Sequence, residues 1–162
     1  MLAKIDPART KVLRKGAFSG KSVLYWMSRD RRVDDNWALL AAQSIALNNK
    51  VPLIVCFQYL GHFPEANIRQ YGFLLKGLLE LKDKLESLNI EFILSQGRAS
   101  EVIPRIIDEK LVGTIITDYS PLRVYKKRAS KVLNRTKVPF YQIDAHNICL
   151  LYTSPSPRDS VG

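Results

Sequence analysis

Short runs of β-branched and aromatic residues alternate with segments of helical periodicity about five times along this 162-residue chain. Apolar runs of this length are typical of strands that are covered on both faces. Strands that alternate with helices favour a parallel sheet, because each parallel crossover returns the chain over a face of the sheet. We therefore predict an α/β fold with five strands, near residues 22–26, 51–57, 91–94, 114–117 and 139–143.

The turn after the first predicted strand is rich in charge and has no glycine. It contains Arg29, Asp30, Arg32 and Asp35, and Asn36 is placed to cap the helix that follows. Open α/β sheets bind ligands at the carboxyl ends of their strands, so this turn is a candidate site. Without glycine it cannot wrap its backbone around a phosphate. A purely structural role is the alternative, because Asp30 and Asp35 could pair with Arg29 and Arg32 to hold the turn and cap the helix.

The composition limits the class of protein. The formal charge is +10, which makes an acidic partner such as nucleic acid plausible. Cys56 lies in an apolar run and predicts a buried thiol in a reducing compartment. No spacing of cysteine and histidine matches a metal site, and no nucleophile lies in a triad motif. No run reaches membrane-spanning length, so we expect an intracellular, monomeric protein without a membrane span.

A long amphipathic helix is predicted between the second and third strands. Its apolar face is formed by leucines three and four residues apart: Leu74, Leu78, Leu81, Leu85 and Leu88. Gly72 and Gly77 interrupt this helix, and each lowers helix propensity by about 1 kcal/mol relative to alanine. We therefore expect close packing or a bend at the two glycines.

The loop after the fourth strand is a second candidate site. Ser120 can cap the next helix and Pro121 suits its first position, whereas Asp118 and Tyr119 are not needed for the cap. The helix itself has a basic exterior, formed by Lys126, Lys127, Arg128, Lys131, Arg135 and Lys137. Such a face is usually only solvated, but it makes Lys126, Lys127 and Lys131 candidates for DNA contact.

The first turn carries a resemblance to a known family. Its order and spacing resemble the N-terminal signature of the photolyase/cryptochrome family at Trp26, Arg29, Asp30, Arg32, Asp35, Asn36, Ala38 and Leu39. The sequence Tyr-Trp-Met-Ser-Arg-Asp resembles the class II cyclobutane pyrimidine dimer photolyases, and segments 70–78, 118–123 and 144–147 agree with that. The resemblance implies a Rossmann-like three-layer domain over 22–148, with strand order 3-2-1-4-5, preceded by a basic surface arm over 1–21.

The resemblance also implies a function. In the family, the N-terminal α/β domain binds an antenna chromophore, a reduced deazaflavin or a folate. The candidate residues here are Ser28, Arg29, Asp30, Asp118, Tyr119 and Ser120. A separate helical domain binds FAD, flips the dimer out of ultraviolet-damaged DNA and splits it by photoinduced electron transfer. We expect the full-length protein to be a deoxyribodipyrimidine photo-lyase. We expect these 162 residues alone to hold no catalytic residue and to be inactive.

The end of the chain differs in character from the rest, and two other functions are possible for the domain. Residues 149–162 resemble a translated cloning stretch, so we expect them to be no part of the fold. One alternative function is a stand-alone nucleotide-binding domain of the adenine-nucleotide α-hydrolase type. The glycines or His-x-Gly-His set of such domains are missing from both candidate loops. A second alternative is a cryptochrome-like interaction module.

Overall fold

The computed structural model describes residues 6–61 and 68–145. The strands are β1 (Thr10–Arg14), β2 (Ser22–Met27), β3 (Leu53–Tyr59), β4 (Glu91–Gln96), β5 (Val112–Asp118) and β6 (Phe140–Ile143). The helices are α1 (Trp37–Asn49), α2 (Ile68–Ser87), α3 (Ala99–Lys110) and α4 (Arg123–Arg135). The predicted tail, over 149–162, and the residues His62, His146 and Cys149 lie outside the described residues.

The sheet has the order β1-β6-β5-β2-β3-β4. Strands β2 to β6 pair in parallel, and their order is the one that the family resemblance implied. The prediction of five strands was incomplete, because part of the N-terminal arm forms β1, antiparallel to β6. This strand pairs the backbone groups that β6 would otherwise leave open at the sheet edge. The fold is therefore a three-layer α/β domain with a mixed six-stranded sheet.

Two apolar cores lie on opposite faces of the sheet. Helices α1 and α2 cover one face, where Tyr25, Val55 and Ile116 are buried. Helices α3 and α4 cover the other face, where Trp26, Cys56 and Ile115 are buried. Successive residues of one strand point to opposite faces, so the near-continuous apolar strands serve both cores. Cys56 is a free, buried thiol, as predicted, and burial raises its pKa to about 12.

Helix α2 confirms the predicted apolar face only in part. Leu78, Leu81 and Leu85 are buried against the sheet, whereas Leu88 follows the last helical residue and is exposed. Of the two alternatives expected at the glycines, close packing or a bend, the structure contradicts close packing, and the bend stays a prediction. Among the described residues, a Cβ atom placed at Gly72 or at Gly77 would meet no atom within 4 Å. Both glycines lie on the solvent side of the helix, so the absence of a side chain does not serve close packing there.

Candidate functional site

The two candidate loops lie at the same edge of the sheet, as predicted. Trp26 of β2 is in register with Thr117 of β5, and the Thr117 hydroxyl donates to the Trp26 carbonyl at 2.8 Å. The chain leaves β2 toward α1 on one face and leaves β5 toward α4 on the other face. The loops therefore part at the point where strand order reverses. This is the crevice in which open α/β sheets bind ligands.

The Asp118 carboxylate joins the two loops. Its Oδ2 accepts from the backbone N–H groups of Ser28 at 2.8 Å, Arg29 at 2.6 Å and Asp30 at 3.2 Å. Its Oδ1 accepts from the Tyr25 hydroxyl at 2.7 Å. Three consecutive N–H groups that point at one oxygen form an anion-binding nest. Here the anion is supplied by the protein's own carboxylate, so Asp118 fixes the conformation of the turn after β2.

A second layer of polar side chains supports this carboxylate. The Asn36 amide nitrogen donates to the Tyr25 hydroxyl oxygen at 3.1 Å and to the Arg32 carbonyl at 3.0 Å. Its amide oxygen accepts from the N–H of Leu39 at 3.0 Å, so Asn36 also caps α1, as predicted. Tyr25 was not among the candidate residues. One signal could have identified it, because a tyrosine in an otherwise apolar buried strand usually needs a partner for its hydroxyl.

Burial sets the protonation of this group. It raises the pKa of Asp118 above its ordinary value, while the three N–H groups and the Tyr25 hydroxyl act against that rise. Burial raises the pKa of Tyr25 well above its ordinary value too, and the nearby Asp118 charge adds to the effect. The tyrosine hydroxyl therefore keeps its proton and acts as a donor. Tyr25, Asn36, Asp118 and the turn 28–30 form what we call the Asp118 cluster.

Two candidate side chains lie on the solvent side of this cluster. Arg29 and Tyr119 are half-buried, and the Arg29 guanidinium donates to the Tyr119 carbonyl at 3.5 Å. The Tyr119 N–H donates to the Ile143 carbonyl at 2.8 Å, which fixes the residue against β6. The Lys11 ammonium lies 6.0 Å from the Tyr119 ring centre. The Arg29 guanidinium and residue Tyr119 thus meet at the mouth of the crevice.

The remaining candidates have more local roles. Asp30 is buried, and its carboxylate lies 3.8 Å from the Arg32 guanidinium, so local pairing does help to hold the turn. Ser120 is buried, and its hydroxyl accepts from the N–H of Leu122 at 3.4 Å. The expected cap was wrong, because α4 begins at Arg123 with Leu122 at the cap position. The serine closes a turn before the helix instead.

The basic residues of α4 take no part in the hydrogen bonds of the Asp118 cluster. Lys126, Lys127 and Lys131 are exposed, and α4 contains no acidic residue. Within residues 6–61 and 68–145, no group of three or more histidine, cysteine, aspartate or glutamate side chains could hold a metal ion. None of the described helices is long and apolar enough to cross a membrane.

A family model for DNA photolyase matches residues 23–156, most of the chain. The chain belongs to the DNA photolyase family. It is 37% identical over 159 residues to the deoxyribodipyrimidine photo-lyase of Arabidopsis thaliana, covering 94% of this chain and 32% of the relative. It is 45% identical over 130 residues to the enzyme of the same name from Potorous tridactylus, covering 79% of this chain and 24% of the relative. Assignment to class II stays a prediction.

The fold agrees with this family. A class III photolyase from Agrobacterium tumefaciens superposes with a TM-score of 0.62 at 22% identity, over 77% of this chain and 26% of the other. At that identity the likeness speaks for the fold alone. The photolyase family match extends past Ile148, to residue 156. The chain spans about a quarter to a third of the length of its curated photolyase relatives.

Proposed function

We propose that this chain is the antenna-chromophore-binding part of a light-driven DNA repair enzyme, a deoxyribodipyrimidine photo-lyase. The observation that supports this best is the Asp118 cluster, which holds the loops after β2 and β5 together at the crevice where strand order reverses. Family membership and the names of the two relatives support the repair reaction for the full-length protein. Ultraviolet-damaged DNA is the proposed substrate.

The residues at the crevice fit the antenna with divided roles. Asp118 is already bonded to the turn 28–30, so we assign it, with Asp30 and Ser120, to positioning. Arg29, Ser28 and Tyr119 remain at the mouth of the crevice. A guanidinium can orient the polar edge of a planar reduced deazaflavin or folate, and a tyrosine ring can pack on its face. The chromophore would thus bind against a turn that is rigid before it arrives.

Replacing Arg29 by glutamine should weaken chromophore binding by about tenfold or more, because a charge-assisted hydrogen bond contributes roughly 1.5–3 kcal/mol. The measurement is a titration of the chain with reduced deazaflavin and with a folate, followed by absorbance and fluorescence. Arg31→Gln is the matched control, since Arg31 lies in the same turn, with its guanidinium 5.2 Å from the Phe57 ring centre. No spectral change with either chromophore, or equal losses in both variants, would contradict the proposed site.

The apolar cavity beside the N-terminal arm does not fit FAD. A cavity of about 380 Å³ lies between α1, β5, β6 and the arm, and the side chains that line it include Phe18, Ile45 and Tyr141. None of its lining residues is charged, so it offers no cation for a dinucleotide diphosphate. All four helices are used in covering the sheet. We therefore place no flavin chemistry in this part of the chain.

The 162-residue chain alone should not split pyrimidine dimers under any illumination. Splitting needs an excited reduced flavin next to a flipped dimer, and the family resemblance assigns both to a helical domain. The test is to illuminate an ultraviolet-damaged oligonucleotide with the chain and reduced FAD, and to measure restored pyrimidines. A full-length photolyase serves as the positive control. Repair above a no-protein control would show that a reaction centre lies within these residues.

A further inference from the structure

A cleft of about 220 Å³ lies between the start of α3 and the middle of α4, and none of its lining residues belongs to the Asp118 cluster. We call it the α3–α4 cleft, and it is lined by Leu60, Arg98, Ala99, Ser100, Arg128 and Lys131. Three of these six residues are cationic and none is acidic. The cleft also lies at the carboxyl ends of β3 and β4, beside the turn that contains Gly97. A small cavity with several converging cations is suited to an anion.

Arg128 is fixed in this cleft by contacts with the sheet edge. The Gln58 side chain is buried, with only 5% of its surface exposed. Its amide nitrogen donates to the Gly97 carbonyl, and its amide oxygen accepts from the Arg128 guanidinium at 3.4 Å. The guanidinium also lies 5.8 Å from the Tyr125 ring centre. A half-buried arginine held from two sides loses little further side-chain entropy when it binds a ligand.

The charges around the cleft are strongly unbalanced. Arg135 reaches across from α4, and its guanidinium donates to the Ser100 carbonyl at 3.1 Å. Glu101 is the acidic residue beside the cleft, and it lies 4.0 Å from the exposed Arg98 guanidinium. Four cations, Arg98, Arg128, Lys131 and Arg135, thus line or border the cleft, against one neighbouring carboxylate. The positive end of the α3 dipole adds to the same potential.

We propose that the α3–α4 cleft binds a phosphate group, either in a nucleic-acid backbone or in a free nucleotide. The planar guanidinium of Arg128 would donate to two phosphate oxygens, and Lys131 would neutralise charge beside it. This inference does not rest on the chromophore site, which uses different residues. It also differs from the sequence-based expectation for α4, because it assigns the contact to Arg128 with Lys131 rather than to Lys126 and Lys127.

The lining of the cleft separates the two sets of cations. Arg128, Lys131 and Arg135 are three and four residues apart, so they share one side of α4, the side that meets α3. Lys127 is four residues before Lys131 and borders this row, but neither Lys127 nor Lys126 lines the cleft, and both are exposed. A diffuse electrostatic attraction between α4 and a phosphate would depend on the total charge of the helix and not on which side of it carries the cations. The same helix therefore supplies the variant and its matched control.

The test compares Arg128→Gln/Lys131→Gln with Lys126→Gln/Lys127→Gln, which remove the same charge from the same helix. Inorganic phosphate and AMP are titrated while the amide NMR signals of Ala99 and Ser100 are followed. Duplex DNA is titrated by fluorescence anisotropy at several salt concentrations. We expect the cleft variant to lose the phosphate response, and its affinity for phosphate-containing ligand should fall about tenfold, against less than about threefold for the control pair.

Each outcome decides the proposal. If DNA affinity falls in the cleft variant only, a backbone phosphate is bound; if AMP alone responds, the site serves a free nucleotide. Equal losses in the two variants, or no phosphate-induced shift at Ala99 and Ser100, would overturn it. Thermal unfolding checks that both double variants are folded. Should the cleft variant fail to fold, Arg98→Gln/Lys131→Gln removes two exposed cations of the same cleft and is expected to give the same loss.

Discussion

Replacing Asp118 by alanine should lower the free energy of unfolding by about 3–4 kcal/mol, because several buried donors would lose their acceptor at once. The Tyr25 hydroxyl and the N–H groups of residues 28–30 all donate to this carboxylate. Each buried donor left unsatisfied costs about 1–3 kcal/mol, although such costs do not add fully. Denaturant-induced unfolding measures the change. Asp118→Asn keeps one acceptor oxygen and should cost about half as much.

The matched control for this prediction is Asp108→Ala, since Asp108 is exposed on α3 and should change stability by no more than about 0.5 kcal/mol. The pH dependence gives a second check. Because the native state raises the pKa of Asp118 above 3.8, it holds this proton more tightly than the unfolded chain does. The contribution of Asp118 to the free energy of unfolding should therefore fall as the pH rises from just above 3.8. If the loss of unfolding free energy in Asp118→Ala were clearly smaller at about pH 4 than at about pH 7, the raised pKa of Asp118 in the native state would be contradicted.

The fold was largely predictable because it depends on local patterns. Each buried strand is a short β-branched or aromatic run, and helices α2, α3 and α4 each have an apolar periodicity. Strand β1 was missed for a physical reason. Thr10–Arg14 is only partly buried and contains two cations, Lys11 and Arg14, and its partner β6 lies far away in the chain. Antiparallel pairing at an edge is decided by that distant partner, which no local pattern reveals.

The site was predictable at the level of loops but not of contacts. That Trp26 and Thr117 end neighbouring strands follows from strand order, and so does the meeting of their loops. The hydrogen bonds of Tyr25 and Asn36 require side chains that lie on the same face of the sheet and at the same distance from its edge. The sequence does not show this, because it depends on the register between strands that are far apart in the chain. The same holds for Gln58, whose partner Arg128 is 70 positions further along the chain.

Replacing Gly20 by alanine should destabilise the protein by about 2–3 kcal/mol, because the new methyl group would overlap backbone atoms that cannot move independently. A Cβ at Gly20 would lie 2.4 Å from the Gly113 nitrogen and 2.5 Å from the Leu111 carbonyl oxygen. The neighbouring Lys21 N–H donates to that same oxygen at 2.7 Å, so the arm is already fixed to the start of β5. Relieving the overlap would stretch this bond. Denaturant-induced unfolding again gives the change in free energy.

Gly77→Ala makes the same substitution with the opposite expected sign. Gly77 lies within α2, where a Cβ would meet nothing within 4 Å, so alanine adds helix propensity of about 1 kcal/mol without any overlap. Each variant adds one methyl group to the natural chain, and the two variants differ only in the surroundings of that group. If both substitutions stabilised the protein, the close approach of residues 20 and 113 would be wrong. If both destabilised it, the solvent-facing position of Gly77 would have to be revised.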